Sequence, residues 1–159
     1  MIPNFPVHAE ASHIRVAIKA DIPVLIALEQ EASAAAHWSL AQYEAMFSES
    51  SPRRIALVTQ ALDVIRGFLI ARVIGDEWEI ENVVVASNAR RAGLGTQLVE
   101  ELRRRARHEN ANSIALEVRE SNVPARALYE KLGFVENGRR RGYYDEPRED
   151  GILYQLSFL

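Results

Sequence analysis

The 159 residues include no cysteine. That absence excludes a disulfide framework, a thiolate nucleophile and every zinc site built on cysteine. It fits a reducing compartment without establishing one. Lysine is nearly as scarce: Lys19 and Lys131 stand against 17 arginines. No stretch approaches the ~18–20 consecutive apolar residues of a membrane span. The N-terminus shows no basic segment followed by an apolar one, so no secretory signal is read there. His8, His13, His37 and His108 form no i, i+4 pair and have no carboxylate at metal spacing, so no metal is expected. These absences together make a cytoplasmic location the expectation.

What is present suits one globular domain, at roughly 100–200 residues per domain. The chain is 48% hydrophobic and 26% charged, with 2 Trp, 5 Tyr and 5 Phe to help build a core. A net charge of −3 argues against a dedicated nucleic-acid binder. The total conceals an asymmetry. Residues 1–89 carry a net −5 and residues 90–159 a net +2. An arginine-rich second half suits a phosphate-bearing ligand, because guanidinium pairs with phosphate bidentately. Arginine-biased codon usage accounts for the same excess.

The hydrophobic pattern divides the chain into alternating elements. Residues 1–13, with Pro3 and Pro6 among polar residues, read as a flexible leader, and 14–159 as the domain. Ile14–Ile18 alternates as a strand. Asp21 offers an N-cap to a helix carrying Leu25, Leu28, Ala32 and Ala35, ending near His37. Ser39 caps a second helix, with Leu40, Tyr43 and Phe47 on one face, which Pro52 ends. Arg54–Gln60, Val64–Ile74 and Glu77–Val85 read as a three-stranded meander. Its final Val83-Val84-Val85 run suits a strand buried on both faces. Leu94, Leu98, Leu102 and Ala106 recur every four residues, giving an amphipathic helix over 93–109. Glu100 and Glu101 sit four before Arg104 and Arg105, a favourable pairing. Ser113–Val118 is a strand. Ser121 or Asn122 caps a helix with Pro124 in its first turn, stopped by Gly133. Phe134-Val135 and Ile152–Phe158 are closing strands, separated by an arginine- and tyrosine-rich loop. The order βααβββαβαββ is an α/β or α+β domain whose mixed sheet is flanked by helices.

The segment Arg90-Arg91-Ala92-Gly93-Leu94-Gly95, continuing into Thr96, follows a buried strand and opens a helix. A helix start leaves about four backbone N–H groups unpaired, and the helix dipole adds positive potential, so anions bind there. Glycines let the backbone approach a phosphate closely, and two arginines add charge. A tight turn with solvated arginines has the same sequence. The segment is not a Walker loop, because no Lys-Ser/Thr follows the second glycine. It is not the dinucleotide fingerprint either, because Leu98 stands where a third glycine or alanine belongs.

Arg90–Gly95 after a strand, then Leu116-Glu117-Val118-Arg119-Glu120-Ser121-Asn122 and Ala127-Leu128-Tyr129-Glu130-Lys131-Leu132-Gly133-Phe134, resemble the GNAT superfamily of acetyl-CoA-dependent N-acetyltransferases. The resemblance runs from about Ile14 to Phe158. With His37-Trp38-Ser39, Arg139-Arg140-Arg141 and Tyr143-Tyr144, it tightens toward bacterial ribosomal-protein-alanine N-acetyltransferases. It implies a single GNAT-type domain with a mixed, mostly antiparallel sheet and about four helices. It implies acetyl-CoA as co-substrate and no metal. Its cofactor contacts would be Val83, Val84 and Val85 along the pantetheine arm, Arg90, Arg91, Ala92, Gly93, Leu94, Gly95 and Thr96 around the pyrophosphate, and Asn122. It places the general base on Glu117 and the general acid on Tyr129. It sets Trp38, Tyr143 and Tyr144 near the acceptor. The acceptor it implies is a protein or peptide N-terminus, with alanine first, and no membrane. Two positions depart from the pattern: Ala86-Ser87-Asn88 replaces an Asp-Pro pair, and Arg90 replaces Gln.

The residues by themselves leave more room. Pattern alone makes Glu117 a solvated strand residue, Tyr129 a core residue, Asn122 a helix cap and Trp38 a core anchor. Arg103, Arg104, Arg105 and Arg107 read as a solvated helix face, one of them within reach of a cofactor phosphate. Arg139–Arg141 with Tyr143 and Tyr144 fits a loop beside the substrate, an RNA contact or plain solvated charge. The chemistry of the implied reaction is nonetheless light. An α-amine with a pKa near 7.7–8.0 is roughly one-tenth neutral at pH 7, whereas a lysine amine near 10.4 is almost wholly protonated. A carboxylate can take the amine proton, a phenol can serve the leaving thiolate, and backbone N–H groups near Val83–Val85 can hold a developing oxyanion. Direct attack by the amine needs no enzyme nucleophile, so the missing cysteine is no obstacle. Competing readings are acetylation of a lysine or small amine, a non-catalytic CoA-binding module, and nucleotide binding at the glycine loop.

Overall fold

A tight hairpin organises the first half of the sheet. β2 (Arg53–Ala61) and β3 (Val64–Ile74) meet at Leu62-Asp63, whose φ values of 46° and 61° form the two-residue turn that matches strand twist. The computed structural model describes residues 12–32, 37–49 and 52–159. Within them β1 (His13–Val16) pairs with β2, and β4 (Glu77–Val85) pairs with β3, all antiparallel. α3 (Leu94–His108) then crosses back, so that β5 (Ser113–Arg119) runs parallel to β4. α4 (Val123–Lys131) leads into β6 (Val135–Tyr144) and β7 (Glu149–Ser157), and the sheet order is β1-β2-β3-β4-β5-β7-β6.

Strand alternation divides the core between two faces. Leu57, Leu69, Trp78, Leu116 and Ile152 point to the face covered by Leu98, Leu102 and Ala106 of α3 and Tyr129 of α4. Ala56, Val58, Phe68 and Ile70 point the other way, against Ile22, Leu25 and Leu28 of α1 (Ile22–Glu31) and Tyr43 of α2 (Leu40–Ala45). The four-residue stripe of α3 is buried as its period requires, with Val99 added. Its outer face is less free than pattern suggests. Glu101 holds both Arg104 (2.7 Å) and Arg105 (2.9 Å), Arg103 donates to the Leu132 carbonyl (3.3 Å), and Arg107 lies over the Phe158 ring.

Several sequence expectations need adjustment. β1 starts at His13, inside the stretch read as leader, and Ser12 donates to Gln97 (3.3 Å). The rest of that leader, residues 1–11, lies outside the described residues. β1 also stops at Val16, short of Ile18. α1 ends at Glu31 and not near His37; Ala35 lies outside the described residues. Asp21 directly precedes α1 but does not cap it. Its carboxylate takes two hydrogen bonds from Arg15 (2.8 and 3.0 Å) and one from the Ile18 N–H (2.8 Å), and the Arg15 guanidinium holds it below its ordinary value. The arginine- and tyrosine-rich loop is mostly strand: β6 runs through Arg139–Arg141 to Tyr144, paired to β7 with two irregularities. Three consecutive arginines conceal strand alternation because all are exposed on an edge strand.

Leu102 is fully buried beneath the sheet. Leu102→Ala is expected to cost about 2–5 kcal/mol. Denaturant unfolding measures this, and a loss well under 1 kcal/mol would contradict the assigned packing.

Candidate functional site

β4 and β5 pair only from Glu77↔Ser113 to Ile80↔Leu116, and then part. The cause is one residue further along β4. Ile70 faces Asn82 while Ala71 faces Ile80, so Glu81 is an extra residue in the ladder. Such a bulge bends the strand and reverses the parity of everything after it. Before it, Trp78 and Ile80 face α3; after it, Asn82 and Val84 face α1, and Val83 turns toward the α3 side. The Val83–Val85 run is therefore not buried throughout: Val84 is buried, while Val83 and Val85 are half-buried. Residues 82–85 keep their pairing with β3 but have no strand partner toward β5.

Two clefts open from this gap. One, of about 640 Å³, is lined by Val83–Val85, by Arg90, Arg91 and Gly93–Thr96, and by Asn122, Leu128 and Tyr129. The other, of about 430 Å³, is lined by His37, Asn82, Glu117, Arg119, Tyr129 and Tyr144 among others. Val83, Asn122, Ala125 and Tyr129 border both, so the clefts meet there.

The mouth of the larger cleft has the features that can hold an anion. Arg91 and Gly93 both take positive φ, 64° and 76°, which turns the chain sharply into α3. No side chain caps that helix, so its first amides stay available. A Cβ at Gly95 would meet Leu128 (3.5 Å) and Val85 (3.8 Å) at ordinary contact distance, so the protein's own packing does not demand glycine there. Arg90 and Arg91 are exposed and carry no ion pair among the described residues.

Tyr129 is locked by the end of its own helix. Gly133 at φ 95° lets the Phe134 N–H donate to the Tyr129 carbonyl (3.0 Å) and the Gly133 N–H to Glu130 (3.1 Å). Phe134 then packs edge-on against the Tyr129 ring, 5.6 Å between centroids, with Tyr154 at 6.5 Å. The hydroxyl makes no hydrogen bond among the described residues, and burial raises its pKa. Asn122 caps α4 by accepting from Ala125 N–H (3.3 Å) while lining both clefts.

Glu117 alternates with Leu116 and Val118 as expected, but it is not a solvated residue. Its side chain is 18% exposed, one carboxylate oxygen is buried without a partner, and the other faces Arg140 Nε at 3.4 Å. Gly151 on β7 makes the room. A Cβ there would lie on the Glu117 carboxylate, 3.2 Å from Cδ and within closer reach of Oε1. Burial raises the Glu117 pKa, Arg140 pulls it down, and Glu79 pushes it up. Tyr144 closes this end, with Arg119 4.3 Å above its ring and its pKa pushed up to about 12 by burial.

Residues 24–134 match the acetyltransferase (GNAT) family model. The chain is 36% identical over 138 residues to the [ribosomal protein bS18]-alanine N-acetyltransferase of Salmonella typhimurium, covering 86% of this chain and 90% of that one. The chain belongs to the GNAT acetyltransferase family. It superposes on the crystal structure of the ribosomal-protein-S18-alanine N-acetyltransferase from Escherichia coli with a TM-score of 0.82 at 32% identity, covering 92% and 94% of the two chains. An acetyltransferase of Bacillus subtilis solved in complex with CoA shares the fold, with a TM-score of 0.78 at 20% identity and 94% and 100% coverage. The protein is an acetyl-CoA-dependent N-acetyltransferase built on the GNAT fold.

In this acetyltransferase the two clefts gather most residues singled out by sequence. Ala92, Trp38 and Tyr143 are not among them. Trp38 lines neither cleft; it packs on Tyr43 (5.6 Å) and beneath Arg54 (5.4 Å). Tyr143 is exposed, edge-on to Tyr144 and beside Arg140. Sequence reasoning missed Gly151, Asn82 and Glu29. Gly151 carries no motif, since its importance lies in a cross-strand neighbour. Asn82 and Glu29 had a detectable signal, a polar residue at a core position of a strand and of a helix. Among the described residues no His, Asp and Glu cluster could hold a metal ion, and no helix is long and apolar enough to cross a membrane.

Arg140 lowers the Glu117 pKa, so its removal should raise it. Arg140→Met is expected to move the Glu117 titration to higher pH, followed by carboxyl carbon NMR. An unchanged or lower midpoint would show that the 3.4 Å pairing is not formed in solution.

Proposed function

We propose that this acetyltransferase modifies the N-terminal α-amine of a protein, with alanine as first residue and a ribosomal protein as the acceptor class. One observation carries the reading: two clefts meet at Tyr129, with Glu117 on the smaller side and the glycine loop on the larger. The names of the Salmonella and Escherichia coli relatives support the acceptor. A ribosomal acceptor, with no membrane span in the described helices, fits a cytoplasmic location.

The larger cleft suits acetyl-CoA, which supplies the acetyl group as a thioester. Amides of Gly93, Leu94, Gly95 and Thr96, with Ala92 in the same loop and Arg90 and Arg91 beside it, hold the pyrophosphate. The unpaired edge of Val83, Val84 and Val85 offers strand-like hydrogen bonds to the pantetheine amides. Asn122 adds a polar contact at the junction. Leu128 and Ala125 give the arm an apolar wall.

Glu117 takes the proton from the acceptor amine. A carboxylate whose pKa is raised by burial is a better base than an ordinary one. The nitrogen bonds to the acetyl carbon, the carbon–sulfur bond breaks, and Tyr129 gives a proton to the departing sulfur. Burial keeps the Tyr129 phenol protonated until then. Backbone N–H groups of the parted strand hold the carbonyl oxygen as charge builds. Tyr144 borders the acceptor cleft, Tyr143 packs edge-on behind it, and Trp38 directly follows His37 of the same cleft.

Three measurements test this. Glu117→Gln and Tyr129→Phe should each lower kcat by about 10²-fold or more, with CoA-induced thermal stabilisation retained. Full activity in both variants would overturn the acid–base roles. In a thiol-release assay, an alanine-initiated peptide should outpace small amines and lysine side chains. As the pH falls through the raised Glu117 value the base is protonated and turnover declines, so the acid limb should disappear in Glu117→Gln.

A further inference from the structure

Glu29 is 2% exposed, near the end of α1, and takes no part in the chemistry above. Its carboxylate has no ion-pair partner among the described residues. It is held by neutral donors. The Tyr43 hydroxyl donates to Oε2 (2.5 Å), the Trp38 backbone N–H donates to Oε1 (2.5 Å), and the Asn82 side-chain amide donates to Oε1 at 3.4 Å. Burying a carboxylate without a cation costs several kcal/mol unless such bonds satisfy it. A core that needed only stability would place an apolar residue here, as it does at Leu25 and Leu28 on the same helix face.

The three donors come from three separate places. Tyr43 belongs to α2, Trp38 to the connection between α1 and α2, and Asn82 to β4 directly after the bulge. One of them lines the acceptor cleft and a second is next in sequence to a residue that does. Asn82 lines it, and Trp38 follows His37, which also lines it and is held at φ 50°. The Trp38 ring continues the arrangement, lying under Arg54, which pairs with Glu81 of the same cleft (2.8 Å). The wall formed by His37, Glu81 and Asn82 is therefore joined to one buried carboxylate.

We propose that Glu29 is a positioning residue for the acceptor. It fixes the His37 segment and Asn82 as one wall of the smaller cleft, and so sets acceptor affinity without touching the reacting atoms. This rests on the assignment of the smaller cleft to the acceptor. The larger cleft shares neither His37 nor Asn82, so CoA binding should be untouched.

The test compares Glu29→Gln with the wild-type enzyme at saturating acetyl-CoA and varied alanine-initiated peptide. Loss of one charge-assisted bond should raise the peptide KM by about tenfold, with kcat and the KM for acetyl-CoA within about twofold. Backbone hydrogen exchange at residues 37–39 should quicken by about tenfold or more, while exchange in α3 stays unchanged. Tyr43→Phe removes one donor, keeps the ring, and should shift both readouts in the same direction by less; it decides the matter if Glu29→Gln does not fold. Unchanged peptide KM with unchanged exchange overturns the proposal. So does an equal loss of acetyl-CoA affinity. If the wild-type enzyme acetylates no peptide, the acceptor assignment fails on its own. The exchange measurement then still decides whether Glu29 holds the wall.

Discussion

The parting of β4 from β5 after Ile80 and Leu116 is the constraint on which the rest depends. A parallel pair would normally continue, since each further residue adds hydrogen bonds. Here the extra residue Glu81 bends β4 away while β3 holds its other edge. The opening exposes backbone groups on one side and the Glu117 side chain on the other. The two sides differ in character. The larger cleft is apolar along its length and cationic at its mouth. The smaller is lined by carboxylates, one arginine and two tyrosines, among others. A ligand with an anionic head and a long arm fits the first, and an ammonium fits the second.

Charge in the second half proves to be divided by purpose. The segment from Arg90 to Arg107 carries six arginines against two glutamates. Most of that excess is structural. Arg104 and Arg105 share Glu101, Arg103 holds the carbonyl after α4, and Arg107 covers Phe158. Arg90 and Arg91 stay free at the mouth of the larger cleft. The same economy appears around Glu117. Gly151 leaves it space, burial raises its pKa, and Arg140 keeps that rise in check. Tyr129 depends on an equally local device, the glycine-ended helix that fixes its ring against Phe134.

Much of this was legible in the chain itself. The period of α3, the meander from β2 to β4, the Ser39 and Asn122 caps and the glycine loop follow from local chemistry, and the structure holds them where expected. Long-range features were not legible. The exposure of Arg139–Arg141 concealed an edge strand, because no face of it is apolar enough to show alternation. Val83–Val85 reads as uniformly buried, and only the bulge at Glu81 shows why half of it faces a cleft. Glu117 looked solvated because its burial comes from Gly151, distant in sequence and lacking a side chain to signal it. The Glu29 cluster spans α1, α2 and β4, so no window of sequence contains it.

The central claim is that the gap between β4 and β5 is one passage, with the acetyl donor entering from the glycine loop and the acceptor from the Glu117 side. The most direct test is a crystal structure with CoA covalently joined through its sulfur to the amine of an alanine-initiated peptide. The account predicts the pyrophosphate against Gly93–Thr96, the sulfur beside the Tyr129 hydroxyl, and the peptide running past Glu117 and Asn82. A peptide leaving on the glycine-loop side, or a sulfur placed away from Tyr129, would contradict it.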